Sequence, residues 1–144
     1  MFLNISAELL NMVQRRFYRQ IVIRYISVPS EQKDVNDALD WIYQCLGLGD
    51  EKDEVGKGVF RALVKASKRG EGISSRNLMQ LGVVSQAAVI YHLNHFRRSG
   101  LVIKDGRNYY LRAHTLSQTL EEMENDMSRR FERMKEIAKN IEKG

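Results

Sequence analysis

The spacing of apolar residues predicts two short helices followed by a β-hairpin in the middle of the chain. In the first helix, Leu78 and Leu81 supply an apolar stripe. Ser74 and Ser75 stand just before this stripe and are residue types whose hydroxyls cap helix N-termini. Gly82 is predicted to end the helix, because glycine adopts the left-handed conformation that a C-terminal cap often needs.

The second helix is predicted to begin after Ser85, which is again a capping residue type. Val89, Leu93 and Phe96 follow at i, i+4 and i+7, so they share one face of this helix. Gly100 is predicted to end it. The helix is therefore expected to bury one face and to leave the opposite face free.

Two β-prone segments, residues 101–103 and 109–111, come next. The Asp105-Gly106 pair between them is a turn signal typical of hairpins. Two helices joined by a short turn and followed by a hairpin form a winged helix-turn-helix. The sequence therefore predicts a mainly α fold of the α+β class, a winged helix-turn-helix with a three-helix core and a β-hairpin wing.

Two helices are predicted before this motif, and the second of them completes the three-helix core. The first is expected to run from Ser30 to about Leu46. The second is expected to begin at Asp50 or Lys52 and to end at Lys68. The inward positions are Val35, Leu39, Ile42 and Leu46 in the first, and Val55, Val59, Phe60, Leu63 and Ala66 in the second.

Other residues of these helices are expected to lie outside the apolar stripes. Tyr43 is expected to flank the first stripe, and Lys57 to lie with other cations on the outer side of the second helix. Farther upstream, a helix is predicted through about Arg19. Residues 21–28 are rich in β-branched side chains, and the pattern leaves helix and strand open for them.

The last part of the chain predicts one long helix, because no glycine or proline interrupts it between Thr115 and Lys143. Its cap is Thr115 or Ser117. Apolar residues follow a heptad spacing with one polar break at Arg130, which favours a dimer interface over packing within the chain, although both remain open. Phe131 lies beside this break. The predicted dimer-interface residues are Leu116, Leu120, Met123, Met127, Phe131, Met134, Ile137 and Ile141.

These elements divide the chain into three parts. They are an N-terminal helical extension (residues 1–49), a winged helix-turn-helix domain (residues 50–114) and a long C-terminal dimerisation helix (residues 115–144). No apolar run is long enough to span a bilayer, and the first ten residues lack the basic region of a signal peptide. A single cysteine fits a reducing compartment, so a cytoplasmic protein is expected.

Positive charge is concentrated in the middle part. The whole chain has a net charge of +5, but residues 55–114 carry eleven Lys or Arg and two Asp or Glu, which makes +9. Residues 1–54 have a net charge of −3 and residues 115–144 a net charge of −1. A cationic segment with helix-turn-helix character predicts double-stranded DNA as the partner.

The free face of the second motif helix carries side chains that suit base edges. Gln and Asn bind adenine through two hydrogen bonds, and Ala or Ile contacts the thymine methyl group. The predicted base contacts are Gln86, Ala87, Ile90, Tyr91 and Asn94. The predicted phosphate and wing contacts are Ser74, Ser75, Ser85, Arg97, Arg98, Lys104, Arg107 and Asn108, and Arg112 also suits phosphate.

This stretch resembles the winged helix-turn-helix of ArsR-like and related archaeal transcription regulators. The resemblance lies in Val84–Leu93 (VSQAAVIYHL), Arg98–Val102 (RSGLV) and Asp105–Leu111 (DGRNYYL). It covers about 40 residues, and these segments specify the fold more than the ligand or the operator. The resemblance implies a homodimer joined by a terminal helix and a role in transcriptional regulation, most often repression.

Other function classes find less support in the sequence. His92 and His95 have a spacing that a metal pair can use, but no third ligand is evident, so no metal site and no cofactor are predicted. No nucleotide-binding or hydrolase motif occurs, so no enzyme is predicted, and any effector is unknown. The alternatives are a winged helix that binds protein or one that binds RNA without specific DNA recognition.

Overall fold

The computed structural model describes Ile23 and residues 34–82 and 85–144. The predicted upstream helix and the segment left open between helix and strand lie outside the described residues, apart from Ile23. Within the described residues the fold is mainly helical with one small antiparallel sheet, which is compatible with the α+β class. The elements are α1 (Val35–Cys45), α2 (Glu54–Lys68), β1 (Ile73–Ser74), α3 (Ser75–Gln80), α4 (Gln86–Arg98), β2 (Val102–Asp105), β3 (Asn108–Leu111) and α5 (Leu116–Lys143).

Polar side chains fix the start of each helix. Ser74, Ser85 and Thr115 each accept a hydrogen bond from the backbone amide three residues later in the chain. This confirms Ser85 as a cap, assigns the role to Ser74 and not to Ser75, and decides between Thr115 and Ser117 in favour of Thr115. The predicted starts of the first two helices are wrong. Asp34 caps α1 and Asp53 caps α2, each through its carboxylate, because an aspartate one turn ahead of the apolar stripe satisfies the free amides.

The core is centred on aromatic side chains from three helices. Tyr43, Phe60 and Phe96 are fully buried, with ring centroids 5.8 Å apart for Tyr43 and Phe60 and 6.1 Å for Tyr43 and Phe96. Val89 and Leu93 are also fully buried, which confirms the predicted inner face of α4. The interior of the domain therefore holds α4 rigidly and leaves its other side free.

Two side chains of α1 differ in burial from what the sequence predicts. Val35, expected inside, is 57% exposed, whereas Tyr43, expected at the flank, is completely buried. Val35 is the first residue of the helix, one turn before the buried Leu39. The buried line of α1 passes through Leu39 and Tyr43, which lie one turn apart on the side that faces α2.

Lys57 is another residue whose predicted exposure is wrong. Only 5% of it is accessible, and its Nζ donates a hydrogen bond to the backbone carbonyl of Glu51. The Glu54 carboxylate lies 3.7 Å from the same Nζ. The aliphatic stem of lysine is buried easily when its ammonium group finds such acceptors.

The end of α3 also differs from the prediction. Leu81 is 70% exposed and stands beyond the last helical residue, so only Leu78 of the predicted stripe is buried. Gly82 is not among the glycines with a positive φ, whereas Gly100, just after α4, has a φ of 83° as predicted. The helix ends at Gln80, so the helical spacing does not continue to Leu81 and does not place it on the buried face beside Leu78.

The sheet contains the predicted hairpin and one strand that the sequence did not reveal. β2 and β3 pair in antiparallel register from Val102 opposite Leu111 to Asp105 opposite Asn108. Gly106, with a φ of 62°, begins the two-residue loop. β1 pairs with the other edge of β3, and with two residues it is too short to show an alternating pattern.

Helix α5 has the predicted bounds, but its apolar seam has two different environments. Met123 is 5% exposed within the core of its own domain, and Leu116 and Leu120 pack against that core. Met123 therefore has little surface left for the predicted contact with a second copy. Beyond Met127 the seam is open to solvent, where Phe131 is 53% exposed.

None of the helices among the described residues has the length and the apolar composition that crossing a bilayer requires.

Candidate nucleic-acid interface

The outer face of α4 presents the five residues predicted to contact bases. Gln86, Ala87 and Tyr91 are exposed, and Tyr91 is 55% accessible. Ile90 and Asn94 are half-buried, one and two turns into the helix. Because the opposite face is fixed in the core, these side chains share a rigid platform, as recognition of a base sequence requires.

Cations border this platform where α4 approaches the sheet. Arg97 and Arg98 are exposed in the last turn of α4, and Lys104 is exposed on β2. No carboxylate in the described part of the chain forms an ion pair with any of the three. A cleft of about 520 Å³ between the helix and the strand is lined by Asn94, Arg97, Arg98, Val102, Ile103 and Lys104.

This cleft joins residues from both predicted sets. Asn94 belongs to the predicted base contacts, whereas Arg97, Arg98 and Lys104 belong to the predicted phosphate contacts. The apolar wall of the cleft, formed by Val102 and Ile103, is not among the predicted site residues. The 47% exposure of Ile103, a β-branched residue on the outer side of a strand, is the signal of that wall.

The hairpin carries the remaining wing residues at its tip. Arg107 in the loop and Asn108 at the start of β3 are both exposed. The Lys104 ammonium lies 5.5 Å from the centroid of the Tyr109 ring, which is within the range of a cation–π contact. This contact orients Lys104 and leaves the ammonium accessible at the surface.

The three serines assigned to phosphate have structural roles as well. The Oγ of Ser74 accepts from the amide of Asn77 at 3.1 Å, and the Oγ of Ser85 accepts from the amide of Ala88 at 3.2 Å. Ser75 is the first residue of α3 and is half-buried. A serine hydroxyl that accepts a hydrogen bond still has a proton to donate, so the exposed Ser85 remains suited to phosphate.

Arg112 is not available for the phosphate contact that its charge suggested. Its Nε lies 3.1 Å from a Glu122 carboxylate oxygen, and a guanidinium nitrogen lies 2.5 Å from Asp126. The hydrogen bond to Asp126 raises the pKa of Arg112. This ion pair connects the end of β3 to α5, so it fixes the direction in which α5 leaves the domain.

Asp126 makes this connection sensitive to acid. Hydrogen bonds from Arg112 and Arg129 lower its pKa from 3.8 to about 2. A lowered pKa in the folded state gives stability that is present above pH 4 and is lost as the pH falls through 2. We expect Asp126→Asn to lower the free energy of unfolding by about 1 kcal/mol at pH 6, since partly exposed ion pairs contribute little.

Urea denaturation at pH 6 and at pH 2 measures this effect. The difference between wild type and Asp126→Asn should become much smaller at pH 2, where about half of the folded-state Asp126 carboxylates are protonated. Asp105→Asn, at an exposed carboxylate in β2, is the matched control and should behave like the wild type at both. A difference of undiminished size at pH 2 would mean that the carboxylate charge is not responsible.

His92 supports α4 from its inner side. Its Nε2 lies 3.6 Å from a carboxylate oxygen of Asp53, the residue that caps α2. The Tyr43 hydroxyl is within hydrogen-bond distance of the same carboxylate. Burial lowers the pKa of His92, and the nearby Asp53 opposes that shift. This contact positions α4 against α2, and no group of three potential metal ligands converges in the described residues.

Comparisons with family models, with curated proteins and with solved structures gave no match to this chain.

Proposed function

We propose that this protein is a winged-helix transcription regulator that binds double-stranded DNA sequence-specifically as a homodimer. One observation carries the proposal. The exposed face of α4, with its amide-bearing side chains, continues directly into a cleft lined by Arg97, Arg98 and Lys104. Neutral groups that distinguish bases and cations that bind phosphate are thus adjacent on one surface.

Helix α4 is the element that enters the major groove in this proposal. The groove is about 12 Å wide and admits one α-helix. Gln86 and Asn94 bind adenine edges, and Ala87 and Ile90 contact thymine methyl groups. Tyr91, between them, adds an apolar ring and a hydroxyl, so the face favours sites that contain A·T pairs.

The cations flanking α4 set its register on the duplex. Successive phosphates along the cleft are held by the guanidinium groups of Arg97 and Arg98 and by the ammonium of Lys104, with one cation on each phosphate. Arg107 and Asn108 at the tip of the hairpin then reach the backbone or the minor groove beside the site. The charge of +9 between residues 55 and 114 supplies the field that attracts DNA before specific contacts form.

The order of elements supports the winged-helix assignment in the proposal. A short helix, α3, precedes α4, and the hairpin of β2 and β3 follows it. The short strand β1 extends that hairpin to three strands. This order agrees with the resemblance to ArsR-like regulators, and in that family the same module binds operator DNA.

The proposal is tested by titrating fluorescent duplexes of random sequence at two salt concentrations and sequencing the DNA that is recovered. Steep salt dependence together with an enriched inverted repeat is the expected result. Steep salt dependence without an enriched sequence would limit the function to non-specific binding. Preference for structured RNA in competition, or no binding of nucleic acid, would reject the proposal in favour of an RNA-binding or protein-binding winged helix.

Asn94→Ala should weaken binding to the selected site by about 1–3 kcal/mol and relax the choice of base at one position. The side chain donates and accepts one hydrogen bond each with an adenine edge, and alanine does neither. Anisotropy titrations with the selected duplex and with each substitution at that position measure both effects. Asn125→Ala, on the exposed side of α5, is the control, and equal losses from both variants would contradict a base contact by Asn94.

A further inference from the structure

The second half of α5 has an apolar side that no part of the described chain covers. Met134, Ile137 and Ile141 are 52%, 38% and 58% exposed and follow one another at intervals of three and four residues. Phe131 stands beside this line and is 53% exposed. Apolar residues at this spacing form the seam of a coiled coil, so this half of the helix is built to bind another helix.

We infer that this half of α5 binds the same half of a second copy in antiparallel orientation. The inference rests on the proposed homodimer and specifies how its two copies meet. It is carried by two features of the seam: the position of Arg130 and the residues that lie beside Phe131 in each orientation.

Arg130 occupies a seam position between Met127 and Met134. In a parallel pair in register, each seam residue faces its own copy, so the two Arg130 guanidinium groups would meet inside the interface. In an antiparallel pair, Met134 faces Ile137 of the second copy and Arg130 faces Ile141. Arg130 then lies at the end of the interface, where its charge reaches water, and the like-charge contact disappears.

Phe131 gives the second argument, which concerns side-chain size. In a parallel pair, Phe131 would lie against Asp126 of the second copy, a carboxylate already bound to Arg112. In the antiparallel pair, Phe131 lies near Ala138 of the second copy. A small residue leaves room for the phenyl ring, so the antiparallel interface packs the largest exposed side chain of the seam without burying a carboxylate.

This arrangement also sets the distance between the two domains along the helix pair. The centre of the antiparallel interface falls between Lys135 and Glu136, and Met123 is buried in the core of its own domain. At 1.5 Å per residue, the two Met123 residues are about 38 Å apart along the helices.

Disulfide cross-linking without DNA tests the orientation. Three variants are prepared in a Cys45→Ser background: Arg130→Cys, Ile141→Cys, and the two together. The two positions are eleven residues apart on one helix, or about 16 Å, which exceeds the roughly 7 Å limit for a disulfide. Every disulfide that forms therefore joins two chains, and non-reducing gels show it directly.

The double variant should form a covalent dimer to near completion, and each single variant should form at least tenfold less. Rapid cross-linking of Ile141→Cys alone would overturn the inference in favour of a parallel pair. A monomer in sedimentation at micromolar concentration, with no cross-linking, would overturn it in favour of a seam covered within one chain. Because no DNA is present, these outcomes are independent of whether the protein binds DNA.

Discussion

Replacement of Arg97, Arg98 and Lys104 by alanine should flatten the salt dependence of DNA binding by nearly three units of log–log slope. Each cation that neutralises a phosphate contributes about 0.9 to that slope, because one condensed counterion leaves the DNA. Between 50 and 200 mM salt, the triple variant should therefore lose about 40-fold less affinity than the wild type. At the lower salt concentration it should bind every duplex more weakly, since the lost contacts are independent of sequence.

Anisotropy titrations at several salt concentrations measure this slope. The matched control removes three positive charges elsewhere, through Lys65→Ala, Lys68→Ala and Lys143→Ala at exposed positions of α2 and α5. The control should keep nearly the whole slope of the wild type. If both variants flatten the slope equally, the total charge of the protein, and not the cleft between α4 and β2, determines DNA binding.

Met134→Asp should dissociate the homodimer and lower affinity for an inverted-repeat site by at least about 100-fold. A carboxylate at this position replaces an apolar contact with Ile137 of the second copy and is costly to desolvate. A monomer contacts one half-site, so it loses the gain from linked binding, which is about 10²–10⁴. Met134 is 52% exposed, so the substitution leaves the core of the domain unchanged.

Sedimentation velocity and circular dichroism separate the dimer effect from misfolding. The variant should sediment as a monomer with the helix content of the wild type. Ser128→Asp introduces the same carboxylate into α5 at an exposed position outside the seam and should remain a dimer. A dimeric Met134→Asp would show that the second half of α5 is not the interface.

Much of the secondary structure could be predicted because its causes are local. The inner face of α4 followed from Val89, Leu93 and Phe96, whose spacing matches the helical period. Ser85 is predictable as a cap because a serine hydroxyl satisfies a backbone amide only three residues away. Such features depend on neighbouring residues alone, so one sequence is enough to show them.

Burial at the ends of elements could not be predicted in the same way. Val35 and Leu81 are apolar but exposed, and Tyr43 and Lys57 are polar but buried. Each case depends on which element lies opposite, and on whether a distant acceptor, such as the Asp53 carboxylate for Tyr43, is within reach. The residue types along the chain do not record these partners.

The candidate interface also contains features that the local sequence predicts and features that depend on tertiary packing. The exposed residues of α4 and the cations around them followed from the pattern of the chain. The pattern of the chain did not show that Arg112 is unavailable to phosphate, because its partners Glu122 and Asp126 lie on α5 and not on the hairpin. The cleft beside Asn94 likewise exists only because β2 packs next to α4.

The seam of α5 shows most clearly what the sequence by itself determined and what it did not. Its heptad spacing from Leu116 to Ile141 determined a long helix with one continuous apolar side. Only the tertiary structure decided that the part around Met123 packs on its own domain, whereas the part from Phe131 onward stays open. The physical reason is that a hydrophobic pattern specifies which side chains avoid water, and the surface that covers them depends on how the whole chain folds.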